Sequence, residues 1–258
     1  VIAAVPRSGW HVAAVVEASP ETPSARRLVL DVPTWPGNAA GQHLDVRVTA
    51  PDGYTATRSY SIASSGPGTR VVLAIDRLPG GEVSPFLVDE VRVGDEFEVH
   101  GPLGRFFVWH PIEPGERVPD ASADGPRPVQ LIAGGSGVVP LVAIAAAHGA
   151  AADPTPMRLL VSVRTPEDAF FDADLADLAR ASEAFRLDYA YTRRAPDGWT
   201  GHVGRLTRDE VDAVVIPAAD APLVYVCGST GFVERVASWL IELGHDARAI
   251  RTERFGGT

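Results

Sequence analysis

Between His11 and Val108 the chain alternates apolar and polar positions with the period of two that a strand requires. Leu28, Leu30 and Val32 alternate with Arg27, Val29 and Asp31, while Leu44, Val46 and Val48 alternate more cleanly with Asp45, Arg47 and Thr49. Val71, Leu73 and Ile75 repeat the pattern. Turn signals separate these runs at Trp35-Pro36-Gly37, Pro51-Asp52-Gly53, Gly66-Pro67-Gly68 and Pro79-Gly80-Gly81. Short strands at such spacing predict an antiparallel barrel or sandwich, interrupted by one short helix from about Ser84 to Glu90.

The stretch Pro111 to Pro128 is rich in Pro, Gly, Asp and Glu and has no period, which reads as a linker or long surface loop. Beyond it the pattern changes. Strands are expected at Val129–Ala133, Leu159–Val163, Phe185–Tyr189, Leu223–Cys227 and Ala247–Thr252. Helices are expected at about Val139–His148, Ala173–Arg180 and Gly231–Leu243, the last stopped by Gly244. Thr207 with Glu210 forms a capping box for a further helix. Alternating strands and helices predict a doubly wound parallel sheet, which binds ligands beyond the carboxyl ends of its strands. The expected architecture is thus a β-barrel over residues 1–110, a linker over 111–128 and an α/β domain over 129–258.

Composition narrows the chemistry. A chain of 258 residues with 45% apolar and 22% charged residues has the balance of a globular protein. It contains no apolar run long enough to span a bilayer and no secretory signal, so a cytoplasmic location is expected. A net charge of −10 argues against nonspecific nucleic-acid binding. All 23 basic residues are arginine, which excludes a Schiff-base lysine and the lysine of a Walker-type phosphate loop. Cys227 is the only cysteine, and the seven histidines show no metal-binding spacing. The chain can form no internal disulfide and hold no four-thiolate iron–sulfur cluster, so redox chemistry here calls for an organic cofactor and no metal.

Four motifs carry candidate chemistry. In Leu131-Ile132-Ala133-Gly134-Gly135-Ser136-Gly137-Val138-Val139-Pro140 an apolar strand runs into a glycine cluster, with Pro140 expected at the first helical position. Such glycines let backbone approach a pyrophosphate closely, although an ordinary tight strand-to-helix turn has the same composition. In Arg58-Ser59-Tyr60-Ser61 an arginine that can clamp a phosphate and an aromatic ring share one strand face; a strand with one exposed arginine is the plain alternative. Gly80-Gly81-Glu82-Val83-Ser84 offers a second phosphate seat, or simply a helix cap. Tyr225-Val226-Cys227-Gly228 and Thr252-Glu253-Arg254-Phe255-Gly256 close the last βαβ unit. A lone cysteine is usually a core residue, but here it ends a strand at the binding edge.

In this order, the motifs resemble those of the ferredoxin–NADP reductase superfamily, with the flavin barrel first and the nicotinamide domain second. The likeness covers about Val12 to Phe255, and Gly41-Gln42, Gly101-Pro102-Leu103-Gly104 and Phe106 fit the family's barrel landmarks. The resemblance implies that Arg58 binds the flavin phosphate, Tyr60 stacks on the isoalloxazine and Ser61 hydrogen-bonds near flavin N5. Gly81, Val83 and Ser84 would belong to the pyrophosphate seat. Gly134, Gly135, Gly137 and Pro140 would cradle the nicotinamide dinucleotide. Cys227, Gly228 and Glu253 would line the hydride-transfer site, with Phe255 over the outer flavin face. Ser229-Thr230 stands where a proline is common in the family.

The implied activity is hydride transfer from NAD(P)H to bound FAD, with FMN as the alternative flavin. Electrons would then pass to a separate acceptor, such as ferredoxin or another iron–sulfur or haem protein, including an oxygenase component. Arg164, Arg193 and Arg194 follow predicted strands at the binding edge and suit the 2′-phosphate of NADPH, so NADPH is expected over NADH. Competing readings are a reductase of free flavin, quinone or oxygen, a nucleotide sensor without turnover, and an electron-transfer subunit. Oligomeric state is not legible.

Overall fold

The computed structural model describes residues 9–50, 52–111 and 127–255, and these form two compact units, Val1–Trp109 and His110–Thr258. The expected linker over 111–128 falls largely on 112–126, outside the described residues.

The first unit is a barrel-like antiparallel sheet built from β1 (Gly9–Thr22), β2 (Ala25–Asp31), β3 (His43–Thr49), β4 (Thr55–Ser61), β5 (Arg70–Asp76) and β6 (Glu96–Leu103). Its order is β4-β3-β6-β1-β2-β5. The alternating positions turn inward as their period dictates: Leu28, Leu30, Leu44, Val46, Val71, Leu73 and Ile75 are buried in one core with Trp35 and Val99. Burial of each such side chain stabilises by about 1.5–3 kcal/mol. β1 serves two neighbours, pairing β6 over Gly9–Ala14 and β2 from Ala14 onward. Irregular register between Val15 and Glu17 lets the strand turn that corner. Beyond β4, Ala63 N–H donates to Val72 O at 2.8 Å and Val72 N–H to Ser64 Oγ at 3.0 Å, which brings the two outer strands together.

The expected helix from about Ser84 to Glu90 is present, and its last five residues, Phe86–Glu90, wind as a π-turn. Arg26 clamps its end by donating to Val88 O at 3.1 Å and Val91 O at 2.7 Å.

The second unit is a parallel sheet of β7 (Val129–Gly134), β8 (Met157–Val163), β9 (Phe185–Tyr191), β10 (Leu223–Ser229) and β11 (Ile250–Phe255), ordered β11-β10-β7-β8-β9. Helices α1 (Val138–Ala150), α2 (Asp172–Ala181), α3 (Arg208–Val214) and α4 (Thr230–Glu242) connect these strands. The Thr207–Glu210 capping box is present. From β7 the chain moves outward through β8 and β9, then returns to the opposite side of β7 at β10. That reversal creates a crevice at the carboxyl ends of β7 and β10.

Two local expectations are corrected here. The last strand begins at Ile250, because Asp246 accepts Arg248 N–H through Oδ1 and winds residues 247–249 into a 3₁₀ turn. Pro140 is the third residue of α1 rather than the first, since a 3₁₀ turn at Gly135–Gly137 leads straight into a helix starting at Val138. The proline is tolerated there because the first four helical N–H groups have no intrahelical partner.

Candidate active site

In the barrel unit, Arg58 and Tyr60 lie on the face of β4 that opposes Val46 and Leu44 of β3. Tyr60 is half-buried against the core, and burial pushes its hydroxyl pKa up to about 12, so the ring carries no charge near neutrality. Ser59 points the other way and donates to Asp45 Oδ1 at 2.5 Å. Ser61 ends the strand at a place fixed by Gln42. That side chain accepts Ala39 N–H at 2.8 Å and donates to Gly104 O at 2.9 Å, while the Gln42 backbone carbonyl receives Ile62 N–H at 3.0 Å. Gln42 thus ties three segments around the end of β4.

The Gly80–Ser84 loop comes to Arg58. The guanidinium lies 3.2 Å from a carboxylate oxygen of Glu82 in an exposed ion pair. Gly81 is confined: a Cβ there would sit 3.1 Å from Leu78 O and 3.3 Å from Ser84 Oγ. Ser84 is nearly buried, and its hydroxyl accepts Leu78 N–H at 3.0 Å instead of capping the turn ahead of it. Its own proton can still be donated to an anion. Val83 is buried in the barrel core and contributes packing and backbone. Glu82 thus brings the Gly80–Ser84 loop to the Arg58 guanidinium, with Tyr60 two residues along the strand.

In the sheet unit, the glycines serve different ends. A Cβ on Gly137 would lie 2.3 Å from Cys227 O and 2.5 Å from its carbonyl carbon, so this glycine lets the turn pass over the end of β10. Gly134 and Gly228 make room for the Phe232 ring, which a Cβ on either would meet at 2.8 Å. Gly135 has φ +56° and nothing within 4 Å of its Cβ position, leaving backbone open at the crevice. This is the approach a pyrophosphate needs. Phe232 escaped sequence reasoning, and its only signal was an aromatic two residues into α4.

Cys227 and Glu253 occupy paired positions on β10 and β11. The thiol is fully buried, and its pKa is raised well above the ordinary value by burial first and by the Glu253 charge second. It is therefore a neutral thiol. Burial also raises the Glu253 carboxyl to about 7. Two residues beyond Glu253, the half-exposed Phe255 ends β11.

Arg164, Arg193 and Arg194 are exposed and gather at the ends of β8 and β9, where Arg164 O receives the N–H of Arg193 at 2.9 Å and of Arg194 at 3.1 Å. Arg194 is ion-paired with Glu167, whereas the arginine preceding it carries no such carboxylate pairing in that cluster. Beside them stands an aromatic wall that the sequence reading did not single out. Tyr189 and Tyr191 stack at 5.7 Å, Tyr191 meets Trp199 edge-on at 5.0 Å, and the Tyr189 hydroxyl donates to Asp172 at 2.7 Å. The alternation of Tyr189 and Tyr191 along β9 was its signal. Among the described residues no group of three or more His, Cys, Asp or Glu is placed to hold a metal.

Comparison with known proteins decides the family. Residues 13–108 match the oxidoreductase FAD-binding domain and residues 131–238 the oxidoreductase NAD-binding domain. The chain belongs to the ferredoxin–NADP reductase superfamily. Within that superfamily it is 30% identical over 211 residues to a glycine betaine monooxygenase reductase subunit of Chromohalobacter salexigens, covering 80% of this chain and 53% of that one. It is 32% identical over 201 residues to an NADH-cytochrome b5 reductase 1 of Pyricularia oryzae, covering 74% and 60%. The chain thus spans little more than half the length of these relatives. Among solved structures, the FAD/NAD-binding domain of a nitric oxide dioxygenase from Vibrio cholerae superposes with a TM-score of 0.80 at 25% identity, covering 97% of this chain and 100% of that one. As a superfamily member the chain is an oxidoreductase with an FAD-binding barrel and an NAD-binding sheet. No helix among the described residues is long and apolar enough to cross a membrane.

Proposed function

We propose that this protein takes hydride from NADPH, holds it on FAD, and delivers the electrons to a separate iron–sulfur or haem protein, most simply an oxygenase component. The observation that carries this reading is the crevice between β7 and β10. There, the Gly135–Gly137 turn has open backbone at Gly135 and passes over Cys227, the partner of Glu253, through Gly137, in a chain that also carries an FAD-binding barrel. Bound FAD supplies the chemistry, accepting electrons in pairs and releasing them singly.

The protein's own work is positioning and exclusion of water. Arg58 would hold flavin phosphate, with the loop at Gly81, Val83 and Ser84 beside it. Tyr60 presents an uncharged ring to the isoalloxazine, and Ser61 offers a hydroxyl at the strand end that Gln42 fixes. Gly134, Gly135, Gly137 and the α1 start with Pro140 shape the seat of the nicotinamide dinucleotide. Cys227 and Gly228 form its floor, Glu253 can hold a proton near neutral pH, and Phe255 lies two residues on. Arg193, with Arg164 and Arg194, would take the 2′-phosphate, and Trp199 gives a plane near it. The relatives named as reductases of a monooxygenase and of cytochrome b5 support an acceptor protein over a small acceptor. We place this activity in the cytoplasm, where NADPH is supplied.

The test is turnover with NADPH, using a [2Fe–2S] ferredoxin, a haem protein, free FMN and a quinone as acceptors. Rapid reduction of a protein acceptor supports the proposal. Turnover confined to the small acceptors would contradict it.

A further inference from the structure

Tyr54 precedes β4 on the hairpin from β3, with its backbone fixed by Tyr54 N–H donating to Asp52 Oδ1 at 3.0 Å and by Ala50 N–H donating to Tyr54 O at 2.8 Å. Its ring is 57% exposed. Its hydroxyl reaches Glu82, lying 3.3 Å and 3.4 Å from the two carboxylate oxygens. The same carboxylate lies 3.2 Å from Arg58. Glu82 therefore stands between the Arg58 guanidinium and an exposed aromatic ring. Neither role assigned to this loop uses it.

We propose that Glu82 and Tyr54 make the barrel select FAD over FMN. This rests on the reading of Arg58 as the flavin phosphate clamp. The argument is electrostatic first. FMN ends in a phosphate monoester carrying about −1.5 to −2 charges at neutral pH, by the same second ionisation near 6 that governs phosphorylated side chains. Each phosphate of the FAD pyrophosphate has one ester bond, one anhydride bond and one charge, so FAD spreads over two groups the charge that FMN concentrates in one. A carboxylate at Glu82 opposes the more highly charged terminus at Arg58 more strongly, so it acts against FMN. The second part is direct recognition. The adenosine half that follows the pyrophosphate brings ribose hydroxyl donors, which the Glu82 carboxylate accepts, and a flat base for the Tyr54 ring. Stacking of a base on an aromatic side chain is worth enough to change affinity about tenfold. The backbones of Arg58 and Tyr54 are four residues and roughly 13 Å apart along the strand, and their side-chain tips converge on the Glu82 carboxylate.

The test is titration of flavin-stripped protein with FAD and with FMN, read by quenching of flavin fluorescence, for wild type, Glu82→Gln and Tyr54→Ala. Wild type should prefer FAD. Glu82→Gln should strengthen FMN binding about fivefold to tenfold, and Tyr54→Ala should weaken FAD binding about tenfold while leaving FMN unchanged. Either change narrows the FAD/FMN ratio, which general loss of stability does not. Ratios that stay at the wild-type value in both variants, or parallel losses for both flavins, would overturn the selectivity proposal while the flavin site stands. Wild type binding neither flavin would overturn the site itself.

Discussion

Cys227 and Glu253 sit side by side at the carboxyl ends of β10 and β11, matched in register across a parallel strand pair. The thiol is buried and neutral, and the carboxyl is raised to about 7 by burial. Because that folded value lies above the ordinary 4.5, the folded chain keeps a proton that the unfolded chain has already released. Stability from this group is therefore lost as pH rises from about 5 to about 7, with little further change above that. Glu253→Gln cannot ionise and should remove that slope. Thermal melts of both proteins from pH 5 to pH 8 check this, with a relative loss for wild type on the order of 2 kcal/mol. Parallel curves would contradict it.

The neutral thiol also constrains what Cys227 does: it can shape the seat but cannot attack as a thiolate. Cys227→Ala should slow reduction of bound flavin by NADPH, leave flavin content unchanged, and cost only about 1 kcal/mol of stability. Rapid-mixing rates together with melting temperature give the answer. An unchanged rate would leave Cys227 as a packing residue.

Gly137→Ala should fail differently. Its new methyl would lie against the Cys227 carbonyl, which is backbone and cannot rotate away. Loss of about 1–3 kcal/mol or more is expected. Gly135→Ala meets no neighbour, although its φ of +56° disfavours any side chain, so it should cost less stability than Gly137→Ala. Denaturant unfolding of the two variants orders them.

Legibility in the sequence followed the range of the interactions. Alternation in Leu28–Val32 and Leu44–Thr49, and the Thr207–Glu210 box, are local and reappear in the structure. The third-position Pro140 was not legible, because a 3₁₀ turn feeding an α-helix leaves no composition mark that separates their boundary. Ser84 was expected to cap forward, but its hydroxyl turned back to Leu78 in a loop whose path depends on tertiary contacts. The Arg58–Glu82 pair joins residues 24 apart, and the Phe232 ring reaches the glycines of two strands; neither leaves a periodic trace.

We propose that nucleotide choice rests on Arg193. Wild type should have the higher kcat/KM with NADPH, and Arg193→Ala should lower the NADPH/NADH ratio at least about tenfold by removing a charge-assisted phosphate contact. Arg194→Ala should change it less, since Glu167 already engages that guanidinium. A preference of wild type for NADH, or an Arg193→Ala ratio equal to wild type, would contradict the assignment.

The most direct measurement of the central claim is anaerobic rapid mixing of the flavin-loaded protein with NADPH, unlabelled or carrying deuterium at the transferable C4 position. Bleaching of the flavin absorbance in a nucleotide-dependent phase, slowed by the deuterium, is the expected result. A protein that holds FAD yet stays oxidised in the presence of both NADPH and NADH would contradict the account.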